Sequence, residues 1–280
     1  MVIVTASALL FTVLLVLVRL RWRPLESVDH GAAAGLNNLI AGQHTAITVV
    51  KDVTLLGSTI VLSALIAAAV VLLALRRRWR LAVYLTVTGA GALVLDPVVK
   101  VLVGRLRPVV AHPVAHAPGN SFPSGHSLGS LACYGALYLV FAPAARGRWR
   151  TWFGIVVAVL VALVGTSRIL LGVHFISDVL GGWAIGITWL GLTTVAFELA
   201  RRAAGRPLSH PVAEGLRSTV DPGSLVPRQT QRGSARQDKA GHPSHTTWHG
   251  RHSCQGHGGE PLIRRSTTPG RQRPTQADNR

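Results

Sequence analysis

The sequence is short of cysteine, of lysine and of acidic side chains, and each shortage narrows what the chain can be. Its two cysteines are Cys133, inside an apolar run, and Cys254, near the C-terminus; no disulfide framework can be built from them. Lysine occurs only at positions 51, 100 and 239, so positive charge rests almost wholly on arginine. With abundant Ala, Val, Gly and Leu, this points to a GC-rich coding sequence of bacterial type. Eleven acidic residues are spread over the whole chain and form no cluster suited to Mg²⁺. Against them stand 29 Lys and Arg, giving a formal charge of +18. A basic balance of this size fits nucleic acid or an anionic membrane surface. Trp248 is the only aromatic among the basic residues near the C-terminus, so nucleic-acid binding finds no support in the pattern. The apolar first two-thirds of the chain favours the membrane.

What the sequence does have is long hydrophobic runs. A helix needs about 20 apolar residues to cross the hydrocarbon core. Segments near 2–18, 54–75, 81–103, 124–142, 152–167 and 175–198 meet or approach that length. Soluble core helices do not account for six such runs in 200 residues with so few charges. The expected fold is therefore all-α: a polytopic membrane helical bundle of about six transmembrane helices. The first run opens Met1-Val2-Ile3-Val4 with no basic residue before it, which argues for a retained span rather than a cleaved signal peptide. Residues 24–53 are too polar to cross alone and are expected to lie at the interface. After residue 200 apolar periodicity stops and Arg, Ser, Pro, Gly and His take over. The reading divides the chain into 1–53 (first span and interfacial linker), 54–200 (membrane core) and 201–280 (disordered basic tail). His242, His245, His249, His252, Cys254 and His257 fall in that tail. Their spacing matches no tight metal site, and contact with anionic lipid is the expected use of the basic tail.

Arginine runs follow the second, fourth and sixth spans: Arg76, Arg77, Arg78 and Arg80, then Arg146, Arg148 and Arg150, then Arg201, Arg202 and Arg206. In a six-span arrangement all ten share one side. The positive-inside rule places that side, with both termini, in the cytoplasm. Arg19, Arg21 and Arg23 at the end of the first span pull the other way.

Charged residues in membrane helices are costly and mark function. Lys100 and Arg107 are seven apart, two helical turns, and so share a face before Pro108 stops the helix. They form a candidate anion clamp; the plain alternative is a pair of side chains reaching for lipid headgroups. The fourth span opens Pro123-Ser124-Gly125-His126. A helix start offers free backbone N–H groups to phosphate, Gly125 lets a substrate approach, and His126 is a candidate proton shuttle. Beyond Ser167-Arg168, His174 and Asp178 are spaced i, i+4, so a carboxylate orients an imidazole whose other nitrogen can attack. Each element alone has a structural explanation. Together they fall on one membrane face and surround a site fitted to a tetrahedral dianion.

Lys100…Arg107-Pro108, Pro123-Ser124-Gly125-His126 and Ser167-Arg168…His174…Asp178 resemble, in residue, order and spacing, the three motifs of the type 2 phosphatidic acid phosphatase superfamily, which includes the vanadium haloperoxidases. The six spans match its membrane-embedded branch. The resemblance covers residues 50–198 well, the first 50 loosely and the tail not at all. It implies a lipid phosphatase in the plasma membrane that needs no metal or other cofactor. It also implies roles: His174 attacks phosphorus to form a phosphohistidine, Asp178 orients it, and His126 protonates the leaving oxygen and then activates water. Lys100, Arg107 and Arg168 hold phosphoryl oxygens, with Ser124 and Gly125 stabilising the developing charge. Phosphatidic acid, phosphatidylglycerol phosphate and undecaprenyl diphosphate all satisfy this pattern. So does phosphotransfer to an acceptor other than water. A haloperoxidase is disfavoured by the membrane character, and a transporter or binding protein using Asp96 and Lys100 by the retention of both histidines and Asp178.

Overall fold

The computed structural model describes residues 1–111, 114–115 and 117–204. The readings placed on residues 205–280 lie outside the described residues. Among those described there is no strand. Eight α-helices follow one another: α1 (Val2–Arg19), α2 (Arg23–Ile40), α3 (His44–Leu55), α4 (Thr59–Leu75), α5 (Trp79–Val103), α6 (Gly125–Phe141), α7 (Arg148–Leu170) and α8 (Ile176–Ala203). Six helical segments are long and apolar enough to cross a membrane, α3 and α4 counting together as one. The fold is the expected polytopic membrane bundle.

The bundle packs α6 most extensively against α8, with α1 also against α8 and α4 against α5. Leu73, Leu81, Leu85, Ala136 and Val140 are buried where α4, α5 and α6 meet. Large apolar side chains such as Ile60, Val71, Val101 and Leu163 face outward, as lipid rather than water requires. Within the hydrocarbon zone polar groups find partners between helices: Trp189 Nε1 donates to the Thr88 carbonyl at 2.9 Å, and the Tyr84 and Thr194 hydroxyls meet at 3.0 Å.

One end of the bundle collects the ends of many elements. Arg19, closing α1, donates to the carbonyl of Leu102 at 2.7 Å, near the last turn of α5. Gly104 ends α5 in the left-handed region (φ 67°), its N–H bonded to the Lys100 carbonyl, and Gly suits that geometry without steric cost. The backbone N–H of Ser124 donates to the Asp178 carbonyl at 2.9 Å, tying the start of α6 to the start of α8. The Asn37 amide donates to the Leu170 carbonyl at 3.2 Å, tying α2 to the end of α7.

Three boundaries differ from the sequence reading. The linker assigned to 24–53 is two helices, α2 and α3, parted at Ala41-Gly42-Gln43, and α3 runs past residue 53 to Leu55. The span assigned to 54–75 starts only at Thr59, because Ser58 caps α4 by accepting the Val61 N–H at 3.4 Å. The last helix continues through Ala203, with Arg201 and Arg202 in its final turn. Nor is α2 an independent surface helix: Asp29, Ala33 and Asn37, one face of it, are buried.

Candidate active site

At the end where α5 stops and α6 and α8 start, a cavity of about 720 Å³ opens; Lys100, Arg107, Gly125, His126, Arg168 and His174 line its polar part. Three cations and two imidazoles therefore converge from α5, the loop after it, α6, α7 and the turn before α8. The cavity continues as an apolar groove between α4 and α5, walled by Leu62, Ile66, Val70 and Leu93.

His174 is buried at 2% exposure in the turn between α7 and α8. Its Nδ1 lies 3.3 Å from Asp178 Oδ2, which also accepts the Phe175 N–H at 2.9 Å. That second bond is half of a capping box: the third residue of α8 reaches back to the residue that precedes the helix. Local helix geometry thus fixes the carboxylate that orients the imidazole. Arg107 Nη1 donates toward His174 Nε2 at 3.2 Å. A guanidinium is always a donor, so Nε2 must carry a lone pair and Nδ1 the proton. Burial pushes the His174 imidazole down to about 4; the hydrogen bond and charge of Asp178 oppose this, and the Arg168 and Arg107 charges add to it. The ring is accordingly neutral at physiological pH, with its basic nitrogen toward the cavity.

Arg107 is itself braced by three backbone carbonyls, those of Gly119 at 3.0 Å, Pro118 at 3.1 Å and Val173 at 2.8 Å. Burial lowers its pKa, with Asp178 and Asp96 working against that. Arg168 donates to Thr54 Oγ1 at 2.9 Å, while its Nε is buried with no hydrogen-bond partner. An unmet guanidinium donor in a buried position is costly unless something arrives to accept from it. Lys100 is ion-paired to Asp96 at 2.8 Å, one helical turn away. Gly125 faces that pair so closely that a Cβ there would lie 2.7 Å from the Asp96 carboxylate.

Six of the eight residues singled out in the sequence thus line one cavity. Asp178 stands directly behind His174. Ser124 is fully buried at the start of α6, where its hydroxyl accepts from Ser127 at 3.1 Å, and it is not part of the cavity wall. Sequence reasoning missed Asp29, Arg105 and Ser177. Arg105 donates to Asp178 Oδ1 at 2.8 Å and to Asp29 Oδ2 at 2.7 Å, forming ion pairs 73 and 76 residues apart in sequence. Asp29 stands among the polar residues of 24–53, beside Glu26 and His30, so nothing in the sequence set it apart. Among the described residues no group of three or more His, Cys, Asp or Glu is arranged to hold a metal ion.

Fold and site define a class: a membrane-embedded helical bundle whose spans converge on a cationic, histidine-bearing pocket. The family model of the PAP2 superfamily matches residues 77–202 of the chain. The chain is 39% identical over 114 residues to phosphatidylglycerophosphatase B of Bacillus subtilis, covering 40% of this chain and 55% of that protein. It is 31% identical over 138 residues to an undecaprenyl-diphosphatase of Sulfolobus acidocaldarius, covering 48% and 63%. The chain thus spans less than two thirds of the length of these relatives. A crystal structure of a transmembrane PAP2 type phosphatidylglycerolphosphate phosphatase from Bacillus subtilis superposes with a TM-score of 0.65 at 26% identity, covering 72% of this chain and 99% of that one.

Proposed function

We propose that the protein is an integral-membrane phosphatase that hydrolyses a phosphomonoester or diphosphate of a lipid through a phosphohistidine at His174. The observation that carries this reading is the cavity itself. Its cationic end presents a neutral, oriented imidazole, and it runs without interruption into an apolar groove between α4 and α5. A phosphate headgroup fits the first part and a hydrocarbon chain the second.

His174 Nε2 attacks phosphorus and the bond from phosphorus to the leaving oxygen breaks. His126, across the cavity, donates the proton that the leaving oxygen needs. The imidazolium at His174 is stabilised through Nδ1–H by Asp178. Neutral His126 then takes a proton from water, the water oxygen attacks phosphorus, and the phosphorus–nitrogen bond breaks to release phosphate. Lys100, Arg107 and Arg168 carry the charge on the equatorial oxygens, which is most of what phosphoryl transfer asks of a protein. On binding, phosphate offers the buried Arg168 Nε its missing acceptor and competes with Asp96 for Lys100. The N-terminus of α6 at Gly125 adds the helix dipole, while the Ser124 N–H is already taken by the Asp178 carbonyl.

The named relatives are a phosphatidylglycerophosphatase and an undecaprenyl-diphosphatase, and both of those substrate classes join a phosphate head to hydrocarbon. We assign the pocket to the extracytoplasmic face of the plasma membrane. In support, Arg76 to Arg80, Arg146 to Arg150 and Arg201 and Arg202 cluster at the opposite helix ends. Residues 1–53 complete the site rather than merely precede it, since α2 packs on both α7 and α8.

The test is phosphate release by the detergent-solubilised full chain from a panel of lipid phosphates and diphosphates, with and without EDTA. Release that survives EDTA and vanishes in His174→Ala supports the reading. A native protein inert toward every lipid on the panel removes it.

A further inference from the structure

The sequence-derived motifs stop at Asp178, but the hydrogen bonds do not. Asp178 Oδ1 accepts from Arg105 Nη1 at 2.8 Å, and the other arm of Arg105 reaches Asp29 Oδ2 at 2.7 Å. Asp29 Oδ1 accepts the Ser177 N–H at 3.0 Å, and its Oδ2 accepts the Ser177 hydroxyl. That hydroxyl accepts in turn from Arg105 Nη1 at 2.6 Å. The guanidinium lies over the Phe175 ring, 4.2 Å from its centre. Both carboxylates are buried and every oxygen of the pair has a donor, so the network is closed. It joins α2, the loop after α5 and the start of α8 around one side chain.

A staple holding α2 to α8 would need only the bonds from Ser177 to Asp29. Arg105 adds two further effects. It pins Oδ1 of Asp178 while the Phe175 N–H pins Oδ2, so the carboxylate cannot turn away from His174. It also sets its guanidinium 2.8 Å from Asp178 Oδ1, pairing the carboxylate's charge. An ionised carboxylate only accepts, which forces the proton of His174 onto Nδ1 and leaves Nε2 bare. A carboxylate free to turn away would release Nδ1–H, let the ring proton move to Nε2 and disarm the nucleophile. We infer that Arg105 and Asp29 are positioning residues for the reaction, acting through Asp178 to fix the tautomer and aim of His174. This rests on the phosphohistidine reading above, and it makes the amphipathic helix α2 part of the catalytic apparatus.

The experiment uses the full chain in detergent with Arg105→Gln, Arg105→Lys and Asp29→Asn, each also combined with Asp178→Asn. Arg105→Gln is expected to lower kcat about tenfold or more with KM changed no more than about twofold. Arg105→Lys, which keeps the charge, is expected to recover part of that loss. In the Asp178→Asn background neither substitution lowers kcat further, because the residue they act through is gone. Nitrogen-15 spectra of the imidazoles, with the His174 signal assigned by its loss in His174→Gln, show Nδ1–H in the native protein and a mixture of tautomers in Arg105→Gln. Equal losses in both backgrounds, or a His174 tautomer unchanged in Arg105→Gln, overturn the inference. A native protein with no turnover on any lipid phosphate removes the function reading alone, and the imidazole spectra still decide this one. If Arg105→Gln does not fold, the milder Asp29→Asn carries the same comparison, with its thermal midpoint measured alongside.

Discussion

At the scale of single residues, the account turns on a histidine kept neutral by burial. Taking the ring out of water disfavours its charged form, so protonation waits until about pH 4, well below the ordinary imidazole value. The sign of each neighbour follows. Asp178 favours the cation, so Asp178→Asn is expected to move the titration lower still and to release the tautomer. Arg107 disfavours it, so Arg107→Gln is expected to move the titration up. Nitrogen-15 spectra of His174 over pH 4–8 check both: the native ring stays neutral across the upper part of that range, and a native midpoint near the ordinary value of about 6.5 contradicts the account. His174, Asp178, Lys100, Arg107, His126 and Arg168 stood out in the sequence through charge beside apolar spans, the start of the fourth span, the i, i+4 spacing of His174 and Asp178, and the motif spacing. Arg105 did not. Beside Arg107 it reads as one more headgroup-facing charge, and its partner Asp29 lies 76 residues away, a proximity only the tertiary fold creates.

At the scale of elements, the join between α6 and α8 decides whether the site assembles. Gly182 and Gly186, four apart on α8, lie against the carbonyl oxygens of Ser124 and Leu128 on α6. A Cβ at Gly182 would stand 2.6 Å from the Ser124 carbonyl, a backbone atom with no freedom to yield. Small residues at this spacing let helices approach closely where no water drives them together. Gly182→Ala is therefore expected to cost about 1–3 kcal/mol and to lower activity, since it parts the start of α6 from Asp178. Gly31→Ala, on α2 with open space around its Cβ position, is expected to be neutral or to stabilise by up to about 1 kcal/mol. Thermal midpoints of the two purified variants check the contrast. The spans themselves were legible from hydropathy. The division of 24–58 into two helices was not, because hydropathy does not register the buried contacts of Asp29, Asn37 and Thr54 that hold α2 and α3 against α7 and α8.

At the scale of the whole molecule, the arginine clusters at 76–80, 146–150 and 201–202 lie at the helix ends opposite the site, with Arg19 at the site's own end. That separation predicts which end meets the cell exterior. In a chain freed of Cys133 and Cys254, an impermeant maleimide applied to intact cells is expected to label Val109→Cys, which is almost fully exposed at the site end. Arg146→Cys, at the start of the loop before α7, is expected to react only after permeabilisation. The reverse pattern would put the pocket in the cytoplasm. The central claim, though, is the covalent step. Rapid acid-free quenching of the native protein with a lipid phosphate carrying labelled phosphorus, followed by peptide mapping, tests it most directly. The account predicts a transient phosphoryl group on the protein, stable to alkali, labile to acid and located on His174. Steady release of phosphate with no protein-bound label, or a label on any other residue, would contradict it and leave direct attack by water, or another nucleophile, in its place.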